Sequence, residues 1–201
     1  MLILIFIVER VWLKMNNIKI IGFTGKLQSG KTTSANFIKD NIYLGAIKLS
    51  FSDLLKNMIL EAGLCTKEEL WEKKTDFSRL MLQKIGTEII RNQVSQDFWV
   101  DKMHETISKI VNNQKDCNDF RFIIDDVRFL NEVEIIEIYN GNMIRIIRPS
   151  LLQNKTENLH KSEIEQDSII ANYEIFNDGS IIDLQHKLVD VLNIIRKDQK
   201  F

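Results

Sequence analysis

The order of apolar and polar residues predicts strands that alternate with helices at both ends of the chain. Short runs rich in β-branched residues predict strands at residues 18–23, 46–51, 120–124, 143–147 and 173–176. Apolar residues at helical spacing predict helices at residues 32–42, 52–62, 131–139, 162–166 and 181–195. From Thr66 to about Val111 the pattern is helical throughout. This order predicts an α/β three-layer sandwich, in which helices flank a parallel sheet of about five strands, with a helical insertion.

Length, composition and charge narrow the function classes. The 201 residues are 44% hydrophobic, enough for one compact domain, and the formal net charge is −1, so nucleic-acid binding is not expected. Two cysteines and three dispersed histidines argue against a zinc site and favour a cytoplasmic setting. The apolar start of the chain is shorter than the roughly 20 residues of a membrane span, so no membrane association is expected. We expect residues 1–14 to be a dispensable extension before a domain at 15–201, with an added edge strand as the alternative.

A phosphate-binding loop is predicted directly after the first strand. The segment GKLQSGKT, Gly25 to Thr32, fits the P-loop pattern GxxxxGK[ST] between a strand and a helix. Gly25 and Gly30 permit backbone angles that let successive N–H groups converge on phosphate oxygens. Lys31 would place its charge on the outer phosphates, and the Thr32 hydroxyl is suited to Mg²⁺. The alternative is a tight glycine turn that binds nothing.

Acidic residues follow the strand with the strongest pattern, 120–124. Asp125 and Asp126 come directly after it, and Arg128 lies two residues beyond Asp126, so Asp126 and Arg128 can face one cleft. Ligands bind at the carboxyl edge of such sheets, where an acid can hold a metal or an acceptor hydroxyl and an arginine can clamp a phosphate. A surface ion pair is the alternative. A GTPase is disfavoured because no Asp-x-x-Gly follows and residues 154–157 end in Glu instead of the Asp of a guanine-reading motif.

Six segments in order resemble the phage-type deoxynucleoside monophosphate kinases, a family of P-loop kinases. They are GKLQSGKTT, LQKIGTEIIR, DFWV, DDVRFLNEVE, HKSEIE and NDG, and the resemblance covers roughly residues 17 to 195. It implies transfer of the ATP γ-phosphoryl group to a deoxynucleoside monophosphate, with Mg²⁺, giving the diphosphate. It also implies a homodimer and a helical acceptor-binding region at about residues 52–115.

The resemblance implies roles for the residues at matching positions. ATP phosphates and the metal would be bound by Gly25, Ser29, Gly30, Lys31, Thr32 and Thr33. Thr32 stands where close relatives usually have Asp, so no role of that Asp is carried over. The acceptor would be bound by Arg79, Gln83, Gly86, Thr87, Trp99, Arg128 and Glu132. The catalytic set would be Lys31, Asp126 and Arg128, with Thr32 and Asp126 at the metal. A further family motif contains His160, Ser162 and Glu163.

Periodicity supports part of this acceptor set. In a helix over residues 77–90, residues spaced four apart line up along one face. One such row is apolar and predicts a buried stripe of Phe77, Met81, Ile85 and Ile89. A second row is polar and consists of Arg79, Gln83, Thr87 and Arg91. This polar face could contact solvent or an anionic ligand, and the resemblance favours the ligand. Trp99 could be a core residue or could stack on a nucleobase.

A lid is predicted from the loop at about residues 149–166. Kinases of this architecture close arginines over the transferred phosphoryl group, and Arg148 is the candidate here. Three other functions stay open. They are a kinase of another small phosphorylated acceptor, such as a phosphomevalonate-like substrate, an ATP-binding module without an acceptor, and a nucleic-acid-stimulated ATPase.

Overall fold

The computed structural model describes residues 17–114, 119–151 and 165–199. Within them, five strands form one parallel sheet in the order β2-β3-β1-β4-β5. The strands are β1 (Asn17–Thr24), β2 (Ile47–Leu49), β3 (Asp119–Ile124), β4 (Asn142–Ile147) and β5 (Tyr173–Phe176). The predicted five-stranded parallel α/β architecture is confirmed.

The helices of the described residues cover both faces of this sheet. They are α1 (Lys31–Phe37, continued by a π-helical turn Ile38–Ile42), α2 (Phe51–Glu61), α3 (Asp76–Gln83, continued as a π-helix Lys84–Val94), α4 (Phe98–Asn113), α5 (Leu130–Ile138) and α6 (Ile181–Gln199). A short π-helical turn, Glu68–Glu72, lies between α2 and α3. None of the helices in these three ranges is long and apolar enough to cross a membrane.

Side-chain alternation along the central strand divides the core into two layers. Ile20 of β1 packs in a cluster with residues of α2, α4 and α5, whereas its neighbour Ile21 packs with residues of α1 and α6. Successive residues of a strand point to opposite faces, which gives each helical layer its own apolar surface. In α6 the buried residues are Leu184, Leu188, Leu192 and Ile195, which recur at helical spacing, and Val191 beside them is partly buried.

The strand register brings two loops together at one edge of the sheet. Gly22 of β1 pairs with Ile124, the last residue of β3. The loop after β1 therefore lies beside the Asp125–Arg128 segment, which stays extended: the N–H of Val127 donates to the Phe23 carbonyl at 3.0 Å. Ligands of open parallel sheets bind at this carboxyl edge.

Two local predictions are wrong. The second strand ends at Leu49 and α2 begins at Phe51, so Phe51 belongs to the helix and not to the strand. The predicted buried stripe of α3 also fails at both ends, since Phe77 is 52% and Ile89 46% exposed. The backbone widens to a π-helix from Lys84 onward, which shifts the phase of the helix and turns Ile90 inward instead of Ile89.

Several predictions concern residues outside the described ranges. These are the extension at residues 1–14, most of the lid-like loop at 149–166, and the motif residues His160, Ser162 and Glu163. Of the helix predicted at 162–166, only residues 165 and 166 are described, and both are helical.

Candidate active site

The loop after β1 has the backbone of a phosphate cradle. Gly25 has φ +134° and Gly30 φ +114°, and Gln28 between them also has a positive φ of +63°. A Cβ on Gly25 would lie 2.3 Å from the Ile146 carbonyl oxygen, a backbone atom that cannot rotate away. The glycine is therefore required by both its torsion angle and its close approach to β4.

Lys31 and the start of α1 converge on this loop. The Lys31 ammonium donates to the carbonyls of Gly25 (2.5 Å) and Lys26 (2.7 Å), which folds its charge over the cradle. Helix α1 begins after Gly30 without a side-chain cap, and its first turn contains Thr32 and Thr33, both exposed. Uncapped first-turn N–H groups are available to phosphate oxygens.

Ser29 differs from its neighbours in this loop. Its hydroxyl is fully buried and has no hydrogen-bond partner among the residues that the structure describes. The side chain therefore lies under the loop, and its backbone is the part that belongs to the cradle.

The two adjacent acids after β3 have different surroundings. Asp126 accepts three hydrogen bonds at the start of α2, from the Ser50 hydroxyl (2.7 Å) and from the backbone N–H groups of Phe51 and Ser52 (2.8 Å each). Asp126 therefore caps the first N–H groups of α2 from outside the helix, whose own N-cap residue, Ser50, makes no side-chain capping bond. Both Asp126 oxygens are engaged in this cap.

Asp125 lies near the phosphate loop. Its carboxylate accepts from the Lys48 ammonium at 3.2 Å, and the Thr32 hydroxyl is close enough to affect its pKa. Burial raises the pKa of Asp125, and the neighbouring charge of Asp126 raises it further, while Lys48 opposes the shift. Thr32 thus lies near Asp125, whereas both oxygens of Asp126, the acid expected at the metal, accept hydrogen bonds at the start of α2.

A cleft of about 340 Å³ joins the phosphate loop to the helical region. Gly25 and Lys31 line one side of it, and Asp126 and Arg128 line the same cleft. From α3 and α4 the lining includes the predicted acceptor residues Arg79, Gln83, Gly86, Thr87 and Trp99. The structure thus brings most of the predicted site residues to one cavity.

Three cations line this cleft without a carboxylate partner. Lys74, Arg79 and Arg128 make no ion pair and no side-chain hydrogen bond within the described residues. Desolvation of its ammonium lowers the pKa of Lys74, and neighbouring cations, including Arg128 and Arg79, lower it further. Unneutralised positive charge of this kind fits an anionic ligand.

Gly86 and Trp99 shape the wall of the cleft. A Cβ on Gly86 would lie 2.6 Å from Cδ2 of Leu55, so the glycine allows α3 to approach α2 closely. The indole N–H of Trp99 donates to the Gly86 carbonyl at 3.0 Å, and the side chain is 6% exposed. Trp99 is therefore a packed residue with one edge at the cleft.

Glu132 forms a buried ion pair with Arg91. The Arg91 guanidinium donates to Glu132 Oε1 at 2.6 Å, and the two side chains are 5% and 4% exposed. The other Glu132 oxygen accepts from the backbone N–H groups of Arg128 (2.8 Å) and Phe129 (3.2 Å). Burial raises the pKa of Glu132 to about 7, although Arg91 opposes this shift. Glu132 thus holds the backbone from which Arg128 projects.

Residues on either side of the undescribed segment reach the phosphate loop. Arg148 is exposed and donates to the Gln28 carbonyl at 3.4 Å, so the lid candidate lies next to the cradle. Lys26 of the loop pairs with Asp167 at 2.9 Å. Arg145, by contrast, donates to the backbone carbonyls of Gln166 and Ile169, which makes it a structural residue.

Sequence reasoning missed Asp125, Lys74 and the partner of Arg91. Asp125 could have been chosen only with the strand register in hand, because it and Asp126 are equivalent in the sequence pattern. Lys74 stands in a charged turn, and nothing in its spacing distinguishes it from Lys73.

The chain resembles known proteins along most of its length. The family model for deoxynucleotide monophosphate kinases matches residues 55–188. A protein of Acanthamoeba polyphaga mimivirus, whose name places it in the same kinase family, is 32% identical over 177 residues, which cover 78% of this chain and 86% of that protein. Among solved structures, a dephospho-CoA kinase from Campylobacter jejuni is 20% identical with a TM-score of 0.49, covering 89% of this chain and 98% of that chain. A shikimate kinase from Aquifex aeolicus is 10% identical with a TM-score of 0.45, covering 88% and 97%.

Proposed function

The chain belongs to the deoxynucleotide monophosphate kinase family, and we propose that it phosphorylates a deoxynucleoside 5'-monophosphate in the cleft described above. ATP is the phosphoryl donor, and the products are ADP and the deoxynucleoside diphosphate. Phosphoryl transfer requires from the protein mainly alignment and charge neutralisation, and both are provided by fixed cations around two phosphates.

The shared cleft is the observation that carries this proposal. Gly25 and Lys31 of the phosphate loop line the same cavity as Arg79 and Arg128. A donor phosphate on the loop and an acceptor phosphate on the arginines would therefore meet within one cleft. Arg79, Arg128 and Lys74 make no ion pair within the described residues, although the charge of Asp126 acts on Lys74, so a dianionic monophosphate would add negative charge to a cluster of three cations.

The donor side is assigned to the loop and the first turn of α1. Lys31 would leave the carbonyls of Gly25 and Lys26 for the outer phosphates, and the N–H groups of Gly30 to Thr33 would bind phosphate oxygens. Asp126 would hold the start of α2 against the cleft and leave the transfer itself to the cations.

Mg²⁺ fits the donor set beside the loop. Mg²⁺ in kinases is bound by one or two protein oxygens together with the nucleotide phosphates. The Thr32 hydroxyl lies near the Asp125 carboxylate. Burial, and then the charge of Asp126, raise the pKa of Asp125, and a divalent cation would oppose this shift. We therefore assign Thr32 and Asp125 to the ion, which would neutralise the donor phosphates.

The acceptor side is assigned to α3 and its surroundings. Arg79 and Arg128 would hold the monophosphate, and Gln83 and Thr87 lie on the same face of the helix. Glu132 would contribute through the position of Arg128 and not by direct contact, because its two oxygens are engaged with Arg91 and with backbone N–H groups. Arg148 remains the candidate that closes over the phosphates.

A panel of acceptors tests the function. ADP release from ATP is measured with deoxynucleoside monophosphates, ribonucleoside monophosphates, nucleosides and isoprenoid phosphates, and the product is identified by chromatography. We expect stimulation by deoxynucleoside monophosphates and formation of the diphosphate. Lys31→Ala should remove nearly all turnover, whereas Lys39→Ala, at an exposed lysine of the same helical segment, should not. Stimulation by isoprenoid phosphates alone, or ATP binding without any acceptor effect, would instead support the alternatives left open by the sequence.

The metal assignment has a test that does not depend on turnover. Binding of a fluorescent ATP analogue is titrated with and without Mg²⁺. Asp125→Asn should reduce the gain in affinity that Mg²⁺ gives the wild type, and Asp40→Asn, at an exposed acid, should leave it intact. An unchanged Mg²⁺ effect in Asp125→Asn would contradict the assignment. A cytoplasmic location is proposed from the two widely spaced cysteines of the sequence, and a homodimer from the family resemblance alone; light scattering of the purified protein tests the latter.

A further inference from the structure

A side chain from the far end of the sheet contacts the phosphate loop. The amide of Asn177 donates from Nδ2 to the Ser29 carbonyl oxygen at 2.8 Å, although the two residues are 148 positions apart. Asn177 directly follows β5 and is not part of the lining of the cleft. It therefore touches the loop from outside the space that the nucleotide would occupy.

The position of Asn177 is itself fixed on both sides. Its backbone N–H donates to the Ile147 carbonyl at 2.7 Å, which extends the pairing of β4 and β5 by one residue. Lys187 of α6 donates to the Phe176 carbonyl (2.7 Å) and to the Asp178 carboxylate (2.6 Å), so the turn is tied to the helix that follows. The amide of Asn177 is thus presented by rigid elements.

Planarity of the peptide unit transmits this contact to the cradle. The described residues contain no cis peptide bond, so the Ser29–Gly30 unit is trans and its C=O and N–H point in opposite directions. When Asn177 holds the Ser29 carbonyl on the outer side, the Gly30 N–H is directed to the inner side, where phosphate would bind. Gly30 also makes room, because a Cβ there would lie only 2.8 Å from Asn177 Nδ2.

Without this contact a second arrangement of the loop would compete. Glycine at position 30 permits a wide range of backbone angles, and Lys31 already attracts the carbonyls of Gly25 and Lys26. A flipped Ser29–Gly30 unit would offer Lys31 another carbonyl and turn an oxygen toward the phosphates. Such an oxygen repels an anion, whereas an N–H group binds it.

We propose that Asn177 is a positioning residue that keeps the Ser29–Gly30 peptide in the orientation that binds the phosphates of ATP. This inference rests on the proposed function, because it assigns to the same loop the nucleotide that the kinase uses. Asn177 acts on the donor nucleotide alone, since the acceptor residues Arg79 and Arg128 lie on other elements.

The test compares the same substitution at the two ends of β5, at Asn177 and at Asn172. Asn177→Asp removes the donor and places a carboxylate against the Ser29 carbonyl, and Asn177→Ala removes the donor without adding charge. Asn172→Asp is the matched control, because Asn172 uses its side-chain oxygen to accept from the Met143 N–H (2.7 Å), which a carboxylate can also do. Each variant is assayed where circular dichroism shows it folded, by ATP titration calorimetry and by the KM for each substrate.

The expected result is a loss specific to ATP. Both Asn177 variants should bind ATP about tenfold more weakly or worse, because the Gly30 N–H would lose its charge-assisted hydrogen bond to a phosphate oxygen. The KM for the acceptor should stay within about twofold of wild type. Wild-type ATP affinity in either folded variant, an equal loss for both substrates, or an equal loss in Asn172→Asp would overturn the inference. If the wild type itself fails to bind ATP, the proposed function fails instead, so the two failures are distinguishable.

Discussion

Removal of Arg91 should destabilise the protein more than any change to a surface ion pair. Its guanidinium donates to Glu132 (2.6 Å), to the Asn131 side chain (2.8 Å) and to the Gln96 carbonyl (3.1 Å), and lies 3.7 Å from the centre of the Phe129 ring. The substitution Arg91→Met keeps most of the volume and the contact with the ring, but it leaves the Glu132 carboxylate buried without its counter-charge.

The size of the effect follows from burial. Breaking a buried ion pair from one side costs about 3–5 kcal/mol, because the remaining carboxyl group is either desolvated as an unpaired charge or must take up a proton. For a chain of this length each kcal/mol lowers the melting temperature by about 2–4 °C, so a decrease of about 6–20 °C is expected. The double substitution Arg91→Met with Glu132→Gln should recover much of this loss, since it leaves no unpaired charge behind.

Urea unfolding followed by circular dichroism measures these differences. The control is Arg121→Met, which breaks an ion pair of similar length (2.7 Å) between side chains that are 35% and 41% exposed. That pair should be worth at most about 1 kcal/mol. If Arg91→Met costs no more than Arg121→Met, or if the double substitution is as unstable as the single one, the account of Arg91 as the counter-charge of a buried carboxylate is refuted.

Three further predictions concern the cleft, the pH response and the loop. Lys74→Met should raise the KM for the monophosphate about tenfold at unchanged KM for ATP, while Lys73→Met, an adjacent lysine outside the cleft, should change neither. Burial raises the pKa of Glu132 from 4.5 to about 7, so the contribution of this group to stability is complete below about pH 4.5 and is lost as the pH rises through 7. In urea unfolding, Glu132→Gln should remove this decrease of the free energy of unfolding with pH. An unchanged pH dependence would contradict the prediction. Gly25→Ala should abolish ATP binding, because the added Cβ would overlap the backbone of β4. Gly45→Ala, with φ +88° and no atom within 4 Å of its Cβ, should cost only about 1–2 kcal/mol of stability. Equal effects of the two substitutions on ATP binding would be inconsistent with this reasoning.

Local sequence patterns predicted the helices and strands, but not in every case which of their faces is buried. The strand over residues 173–176 was predicted to the residue, and the glycine loop with Lys31 was placed correctly between a strand and a helix. Both depend on neighbours in the chain, namely β-branched runs and glycines at fixed spacing. The burial of α3 was predicted wrongly at Phe77, in its first turn, and at Ile89, where a regular helical period cannot anticipate the change to π-helix.

The sequence by itself determined the order of strands and helices, the phosphate loop and the family of the chain, because each of these depends on residues that are contiguous in the chain. Only the tertiary structure decided which of Asp125 and Asp126 lies near Thr32, and that Arg91 pairs with Glu132 across 41 positions. Adjacent residues of an extended segment face opposite directions, so the register of β1 against β3 selects between two identical side chains. Contacts between distant residues depend on how the layers pack, and packing is set by the whole chain at once.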